Sequence, residues 1–123
     1  MRVLVTGASG FIGLPLLDKL SKDGHDVLAI SRSKIINLPC NVSWIESDIS
    51  QHKTYKDYLR QFSPEVIVHL AWQDIPDYSI EKSISNLYNS INIISFVLGL
   101  GCCEKVIVSG SCFELNQLQG ECL

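Results

Sequence analysis

Apolar residues recur along the chain in two alternating patterns, which predict strands and helices in turn. Five short, continuous runs rich in β-branched residues are typical of strands that are buried on both faces of a sheet. These predicted strands are Arg2–Thr6, Val27–Ser31, Val42–Glu46, Val66–Leu70 and Lys105–Ser109.

Three of the intervening segments instead carry apolar residues at helical spacing. They predict helices from about Phe11 to Lys22, from Lys53 to Phe62 and from about Ile80 to Leu100. Pro15 is compatible with the first turn of a helix, where its missing N–H would have no partner in any case. Gly24 is placed to end the first helix.

Strands that alternate with helices predict an α/β fold, in which helices cover both faces of a parallel sheet. Because crossovers in such sheets are right-handed, we expect the doubly wound Rossmann arrangement with strand order 3-2-1-4-5. The 123 residues suffice for one domain, residues 1–123. We expect an incomplete Rossmann domain that stops after its fifth strand.

Composition narrows the range of partners. The chain is 46% hydrophobic, which is typical of a folded protein, and its net charge is −3 with no basic cluster. These properties argue against nucleic acid or an anionic membrane surface as a partner. No apolar run is long enough to span a bilayer, and the first strand begins without a signal-like segment. We therefore expect a cytoplasmic protein.

The cysteines are odd in number and include no Cys-x-x-Cys pair. We therefore predict reduced, mostly buried thiols rather than a disulfide framework. No histidine lies at ligand spacing from a cysteine, so we predict no metal site. The cysteines are Cys40, Cys102, Cys103, Cys112 and Cys122.

Three glycines spaced three apart separate the first predicted strand from the first helix. This order of elements is typical of a turn that holds a dinucleotide pyrophosphate. Gly7 would allow the tight turn, Gly10 the close approach of a pyrophosphate, and Gly13 close packing of helix on strand. The N–H groups of Phe11 and Ile12 would then donate to phosphate oxygens. An ordinary glycine-containing loop is the alternative.

The end of the second strand bears on the choice of nicotinamide cofactor. NAD sites usually carry an acidic residue there, which accepts from the ribose 2′-hydroxyl. This chain has Ser31, Arg32 and Lys34 instead. Arg32 could hold a 2′-phosphate with charge-assisted hydrogen bonds, so we expect NADP(H) to be preferred over NAD(H). The alternative is that both cations are solvated loop charges.

Four motifs in register carry a family resemblance: Thr-Gly-Ala-Ser-Gly-Phe-Ile-Gly at 6–13, Asp-Ile at 48–49, His-Leu-Ala-Trp at 69–72 and Ser-Gly-Ser-Cys-Phe-Glu at 109–114. The chain resembles the N-terminal part of the extended short-chain dehydrogenases, the NAD(P)-dependent epimerase/dehydratase group that acts on nucleotide sugars. The resemblance extends over the whole chain. It implies a nucleotide-sugar substrate for the complete protein.

The resemblance implies cofactor contacts for several residues. Asp48 would accept from the adenine amino group and Ile49 would supply a backbone contact. Leu70 and Ala71 would line the cofactor near the nicotinamide-side ribose, and Asn86 would touch it from the long helix. As alternatives, Asp48 is a helix cap or loop carboxylate, and Asn86 is a polar helix position.

The resemblance also implies catalytic residues. Ser111 matches the residue that hydrogen-bonds the reacting oxygen of the substrate, although it could merely satisfy the backbone after the fifth strand. The family's Tyr, whose pKa a Lys four residues later lowers, should follow Ser111, but the chain ends first. Tyr78 and Lys82 have this spacing at the wrong place, and we interpret them as a coincidence. We interpret His69 as structural.

The long helix carries a wide apolar stripe. In this short chain we expect part of the stripe to be exposed, which favours a homo-oligomer formed through Ile80–Leu100, or marginal stability. The stripe comprises Ile84, Leu87, Tyr88, Ile91, Ile94, Val97 and Leu98, extended by Ile93, Phe96 and Leu100.

Three functions remain open from the sequence. The chain is the cofactor-binding part of a nucleotide-sugar reductase, epimerase or dehydratase, a short NADP(H)-binding module without chemistry, or an inert relic that binds nothing. Sequence alone leaves the reaction undetermined, because these reactions share the Ser-Tyr-Lys machinery in the family that the chain resembles.

Overall fold

The computed structural model of the protein describes residues 1–110. All five predicted strands and all three predicted helices are present. In chain order they are β1 (Arg2–Thr6), α1 (Gly13–Lys22), β2 (Asp26–Ser31), β3 (Val42–Glu46), α2 (His52–Phe62), β4 (Val66–His69), α3 (Ile80–Gly99) and β5 (Lys105–Val108).

The five strands form one parallel sheet in the order β3-β2-β1-β4-β5, which confirms the predicted doubly wound arrangement. Val3 in β1 is opposite Val27 in β2 on one side and Val66 in β4 on the other. Since the strands are parallel, their carboxyl ends and the loops that follow them meet at one edge of the sheet.

Alternate residues of the central strand belong to two separate apolar layers. Val3 and Val5 pack in one layer with Leu17 of α1. Leu4 belongs to the other layer, with Leu59 of α2 and Ile93 and Val97 of α3. Helix α1 therefore covers one face of the sheet, and α2 and α3 cover the other.

Helix α1 ends as the sequence predicts. Gly24 has a φ of +81°, its N–H donates to the Ser21 carbonyl, and the His25 N–H donates to the Leu20 carbonyl. This pair of bonds is the Schellman arrangement, which favours glycine. Its start differs from the prediction, because Phe11 and Ile12 belong to the turn before the helix.

In the first part of α3 the side chains that face the protein are polar, and those that face outward are apolar. Asn86, Asn89 and Ser90 are buried, whereas large apolar side chains of the same segment face outward. The exposed fractions are 62% for Ile84, 56% for Leu87, 63% for Tyr88 and 54% for Ile91. This exposed set is called the outer face of α3 below. It confirms that part of the predicted stripe is exposed.

The expectation of mostly buried cysteines is wrong for the described residues. Cys40 is exposed, and Cys102 and Cys103 are only partly buried. All three lie in loops that lead into the amino ends of strands, where only Cys103 packs against the edge of an apolar layer. Within residues 1–110 these three are free thiols. Cys112 and Cys122 lie outside the described residues.

Two searches of residues 1–110 complete the description. None of the helices found there combines the length and apolar character needed to cross a membrane. Within the same range, no three His, Cys, Asp or Glu side chains come together in a way that could hold a metal ion.

Candidate functional site

A cleft opens at the carboxyl edge of the sheet, between the loops that follow β1, β2, β3 and β4. Most of the residues predicted to bind a cofactor line it. The predicted members that line the cleft are Gly7, Gly10, Ser31, Arg32, Ile49, Leu70 and Ala71.

The glycine-rich turn is built where no larger residue fits. Gly7 has a φ of +67°, and a Cβ there would lie 2.8 Å from the Ala71 backbone nitrogen. A Cβ on Gly13 would lie 2.5 Å from the Ala8 carbonyl oxygen. At Gly10 the clearance to the Gly7 carbonyl oxygen is 3.2 Å. Backbone geometry alone therefore requires glycine at positions 7 and 13, whereas position 10 is less tightly restricted.

The start of α1 supplies free hydrogen-bond donors. Within residues 1–110, the backbone N–H groups of Phe11 and Ile12 have no hydrogen-bond acceptor, whereas the Leu14 N–H already donates to the Gly10 carbonyl. The Phe11 side chain is 98% exposed, so it does not pack over these two N–H groups. Donors at the positive end of a helix are suited to an anion.

The two cations that follow β2 differ in their position relative to the cleft. Arg32 lines the cleft and forms no ion pair or hydrogen bond within the described residues, whereas Lys34 does not line it. The hydroxyl of buried Ser31 donates to the Ser33 carbonyl at 2.7 Å and accepts from the Trp44 indole N–H at 2.8 Å. Ser31 therefore fixes the loop that carries Arg32.

Asp48 is a loop carboxylate and not a helix cap. One of its oxygens accepts from the Ser50 N–H at 2.8 Å, while α2 has Gln51 at its N-cap position. Partial burial opposes the charge, but hydrogen bonds from Ser50 and Gln73, with the nearby Arg32 charge, lower the Asp48 pKa below its usual value. The carboxylate is therefore ionised at neutral pH.

Ile49 and Asn86, both predicted to contact the cofactor, differ in their relation to the cleft. Ile49 is buried and lines it, and its carbonyl accepts from the Tyr55 hydroxyl at 2.6 Å. Asn86 is 3% exposed and does not line the cleft. Its side chain instead binds the backbone of Gln73, accepting from N–H at 2.8 Å and donating to the carbonyl at 3.0 Å.

Gln73 lines the cleft although the sequence did not indicate it, as do Ser9, Ser33 and Ser47. Its side-chain nitrogen lies 2.6 Å from each carboxylate oxygen of Asp48. It stands in a loop after β4, where neither hydrophobic periodicity nor a motif singles it out. Its partner is 25 residues away in sequence, so only the assembled sheet brings the two together.

His69 is structural, as the sequence suggested. It is 2% exposed, with Nδ1 2.7 Å from the Thr6 hydroxyl and Nε2 2.8 Å from the Ser90 hydroxyl. The Ser90 hydroxyl donates to the Asn86 carbonyl, so it accepts from Nε2–H, and Nδ1 accepts from Thr6. Burial lowers the His69 pKa and favours this neutral form.

Tyr78 and Lys82 do not form a catalytic pair. Tyr78 is 65% exposed, and Lys82 forms an ion pair with Asp74 at 2.7 Å. The hydrogen bond and charge of Asp74 raise the Lys82 pKa, so this cation is already engaged away from Tyr78. The interpretation of their spacing as a coincidence agrees with this geometry. Ser111, the predicted catalytic residue, lies outside the described residues.

The parallel sheet, the glycine-rich turn and the cleft at the carboxyl edge define a Rossmann-type nucleotide-binding protein. A model of one family, described as the NAD dependent epimerase/dehydratase family, matches residues 3–116. The chain belongs to the NAD dependent epimerase/dehydratase family.

Individual relatives agree with this assignment. UDP-glucose 4-epimerase of Mycolicibacterium smegmatis is 37% identical over 94 residues, which cover 70% of this chain and 28% of that protein. The solved UDP-glucose 4-epimerase of Thermotoga maritima, with UDP-glucose, is 28% identical with a TM-score of 0.75. That match covers 90% of this chain and 38% of the other.

The structure of a further relative was solved with a bound dinucleotide. The Bordetella bronchiseptica enzyme WbmG in complex with NAD is 28% identical with a TM-score of 0.72, covering 88% of this chain and 36% of that one. The chain thus spans about a third of the length of the relatives it matches.

Proposed function

We propose that the chain binds NAD(P) in the cleft, as the dinucleotide-binding part of an enzyme that modifies nucleotide sugars. The glycine-rich turn carries this proposal, because backbone geometry requires Gly7 and Gly13 there and the free N–H groups of Phe11 and Ile12 lie beside the cleft. NAD in the WbmG complex and UDP-glucose in the Thermotoga maritima epimerase support it.

Within this site, the turn would hold the pyrophosphate, while Ile49, Leu70 and Ala71 would supply apolar and backbone contacts from the opposite walls. Asp48 would act at the adenine end. Asn86 would contribute through the loop that it holds, since its side chain is already bonded to Gln73.

We further propose that NADP(H) is preferred over NAD(H). Arg32 supports this preference, because it lines the cleft with no ion pair among the described residues and the end of β2 has no carboxylate to repel a 2′-phosphate. A charge-assisted hydrogen bond contributes about 1.5–3 kcal/mol, which corresponds to about ten- to a hundredfold in affinity.

Calorimetric titration with NADPH and NADH tests both parts of the proposal. The wild-type chain is expected to bind NADPH more tightly, and Arg32→Ala to remove most of that difference. Lys34→Ala is the matched control, because Lys34 lies nearby but outside the cleft. Equal affinities in the wild type would contradict the phosphate preference alone, whereas no binding of either nucleotide would contradict the site.

For the chemistry of the complete enzyme, we propose that Ser111 hydrogen-bonds the reacting oxygen of a nucleotide sugar. The reaction is a reduction, a 4-epimerisation or a dehydration, and an NADPH preference favours reduction. The family membership supports this class of substrate. We place the enzyme in the cytoplasm, which the free thiols of Cys40, Cys102 and Cys103 support.

A further inference from the structure

The side chain of Trp44 in β3 lies on the same face of the sheet as the side chain that ends β2. In the parallel register Trp44 is opposite Ala29, and Ser31 follows Ala29 by two residues, so all three side chains point to one face. This is the face that α1 covers, because Ala29 shares an apolar layer with Leu17 and Trp44 packs against that layer. The indole N–H therefore reaches the Ser31 hydroxyl across the sheet, at 2.8 Å.

The hydrogen bonds of the Ser31 hydroxyl have a fixed direction. The indole N–H of Trp44 can only donate, and the carbonyl of Ser33 can only accept. The Ser31 oxygen therefore accepts from Trp44, and its single proton is donated to Ser33 at 2.7 Å. Ser31 is 5% exposed, so water has little access to compete with either partner. The indole thus selects the orientation in which the hydroxyl bridges its own loop.

The bridge from Ser31 to Ser33 closes a short ring around the backbone of Arg32. The Ser31 backbone is also held, because its carbonyl accepts from the Ser47 N–H at 3.0 Å. On the other side of the loop, Ile35 is buried in the apolar layer beneath α1. Arg32 lies between these two anchors, lines the cleft and forms no ion pair or hydrogen bond within residues 1–110. The direction in which its side chain leaves the sheet is therefore set by the bonds of Ser31.

The end of β2 is also bonded to the glycine-rich turn. The Ala8 N–H donates to the Ile30 carbonyl at 3.3 Å, so the turn and the loop of Arg32 are held relative to each other. In NADP(H) the 2′-phosphate is joined covalently to the half of the ligand that continues into the pyrophosphate. A cation fixed relative to the turn is therefore preorganised for this phosphate and loses less conformational entropy when it binds. NAD(H) has no 2′-phosphate and gains nothing from the aim of Arg32.

We infer that Trp44 is a positioning residue for cofactor specificity: its indole N–H fixes the Ser31 hydroxyl, and through it the loop that directs Arg32 at the 2′-phosphate of NADP(H). Trp44 does not line the cleft, so it acts through Ser31 and not by contact with the ligand. This inference rests on the proposed preference for NADP(H). It predicts that loss of the indole N–H weakens the binding of NADPH and leaves the binding of NADH unchanged.

The test is calorimetric titration of Trp44→Phe with NADPH and NADH, since phenylalanine keeps an aromatic ring and removes the N–H. The preference for NADPH is expected to fall about three- to tenfold, as for the loss of one neutral hydrogen bond, with the NADH affinity unchanged. Ser31→Ala is expected to lower the preference at least as much, and Trp44→Phe added to it to have no further effect. Ser43→Ala is the matched control, because Ser43 is exposed on the same strand, and it is expected to keep the wild-type preference.

Retained NADH binding in a variant shows that the cleft is still formed. An unchanged NADPH preference in Trp44→Phe would overturn the inference and leave the proposed function intact. A further loss of preference when Trp44→Phe is added to Ser31→Ala would also overturn it, because Trp44 would then act by another route. If Trp44→Phe binds neither nucleotide, Ser31→Ala decides: an unchanged preference overturns the inference and a lowered one supports it. Equal affinity of the wild type for both nucleotides would overturn the proposed preference, and this inference with it.

Discussion

Single side chains in and around the cleft hold one another in place. Ser31 holds the loop of Arg32, Asn86 holds the backbone of Gln73, and Asp48 holds the Gln73 side chain. Arg32 by contrast forms no ion pair or hydrogen bond within residues 1–110. Substitutions in the cleft are therefore expected to change positions as well as contacts.

His69 makes the stability of the chain depend on pH. Its pKa is lowered by burial in the folded state, so the unfolded chain takes up a proton first as the pH falls below about 6.5. The free energy of unfolding is expected to decrease from that pH down to the folded-state pKa of His69. Chemical denaturation measured in steps between pH 7 and pH 5 would show the decrease.

His69→Gln is expected to flatten this dependence, because it removes the titrating group. His52→Gln provides the matched control, since His52 is only partly buried at the start of α2. A slope between pH 7 and pH 5 that is the same in His69→Gln as in the wild type would contradict the assignment to His69.

Secondary-structure elements followed from the sequence because buried parallel strands and amphipathic helices have distinct periods. The glycine-rich turn was also predictable, since its backbone geometry admits only certain residues. The burial of loop residues could not be predicted in this way. Cys40 and Cys102 are apolar enough for a core, but they lie in loops that precede strands and are not buried. Gln73 was missed because its role depends on a partner in another loop.

The two halves of α3 are attached to the sheet by different forces. Ile93 and Val97 in the second half are fully buried in the apolar layer, whereas the first half contacts the protein through Asn86 and Ser90. Apolar burial contributes more stability than a net hydrogen bond. We therefore expect backbone amides near Ile84–Tyr88 to exchange hydrogen faster than those near Ile93–Val97.

Native-state hydrogen exchange resolved by residue measures this difference. The comparison is internal to one helix, so differences in solvent or temperature affect both halves alike. Equal protection of the two halves would indicate that something else covers the first half of α3 in solution.

At the scale of the whole molecule, the outer face of α3 is an apolar surface that the other described residues do not cover. The outer face of α3 presents Ile84, Leu87, Tyr88 and Ile91 to solvent, directly outside a polar inner surface. Contiguous exposed apolar groups of this kind favour association. We propose that a second copy of the chain covers this face, as the sequence suggested.

Light scattering over a range of concentrations tests the association. The wild-type chain is expected to oligomerise, and Leu87→Glu with Ile91→Glu to shift it toward monomer by placing charges in the apolar contact. Ser85→Glu is the control, because Ser85 is exposed on the same helix outside the apolar set. A wild-type monomer at the highest concentration would contradict the proposal.

The bonds around His69 and those around Gln73 meet at Asn86. Thr6, His69 and Ser90 lead to the Asn86 carbonyl, and the Asn86 side chain leads through Gln73 to Asp48. Residues that share such a network are energetically coupled, so their free-energy changes do not add. A variant at His69 and a variant at Gln73 are therefore two perturbations of one cooperative unit.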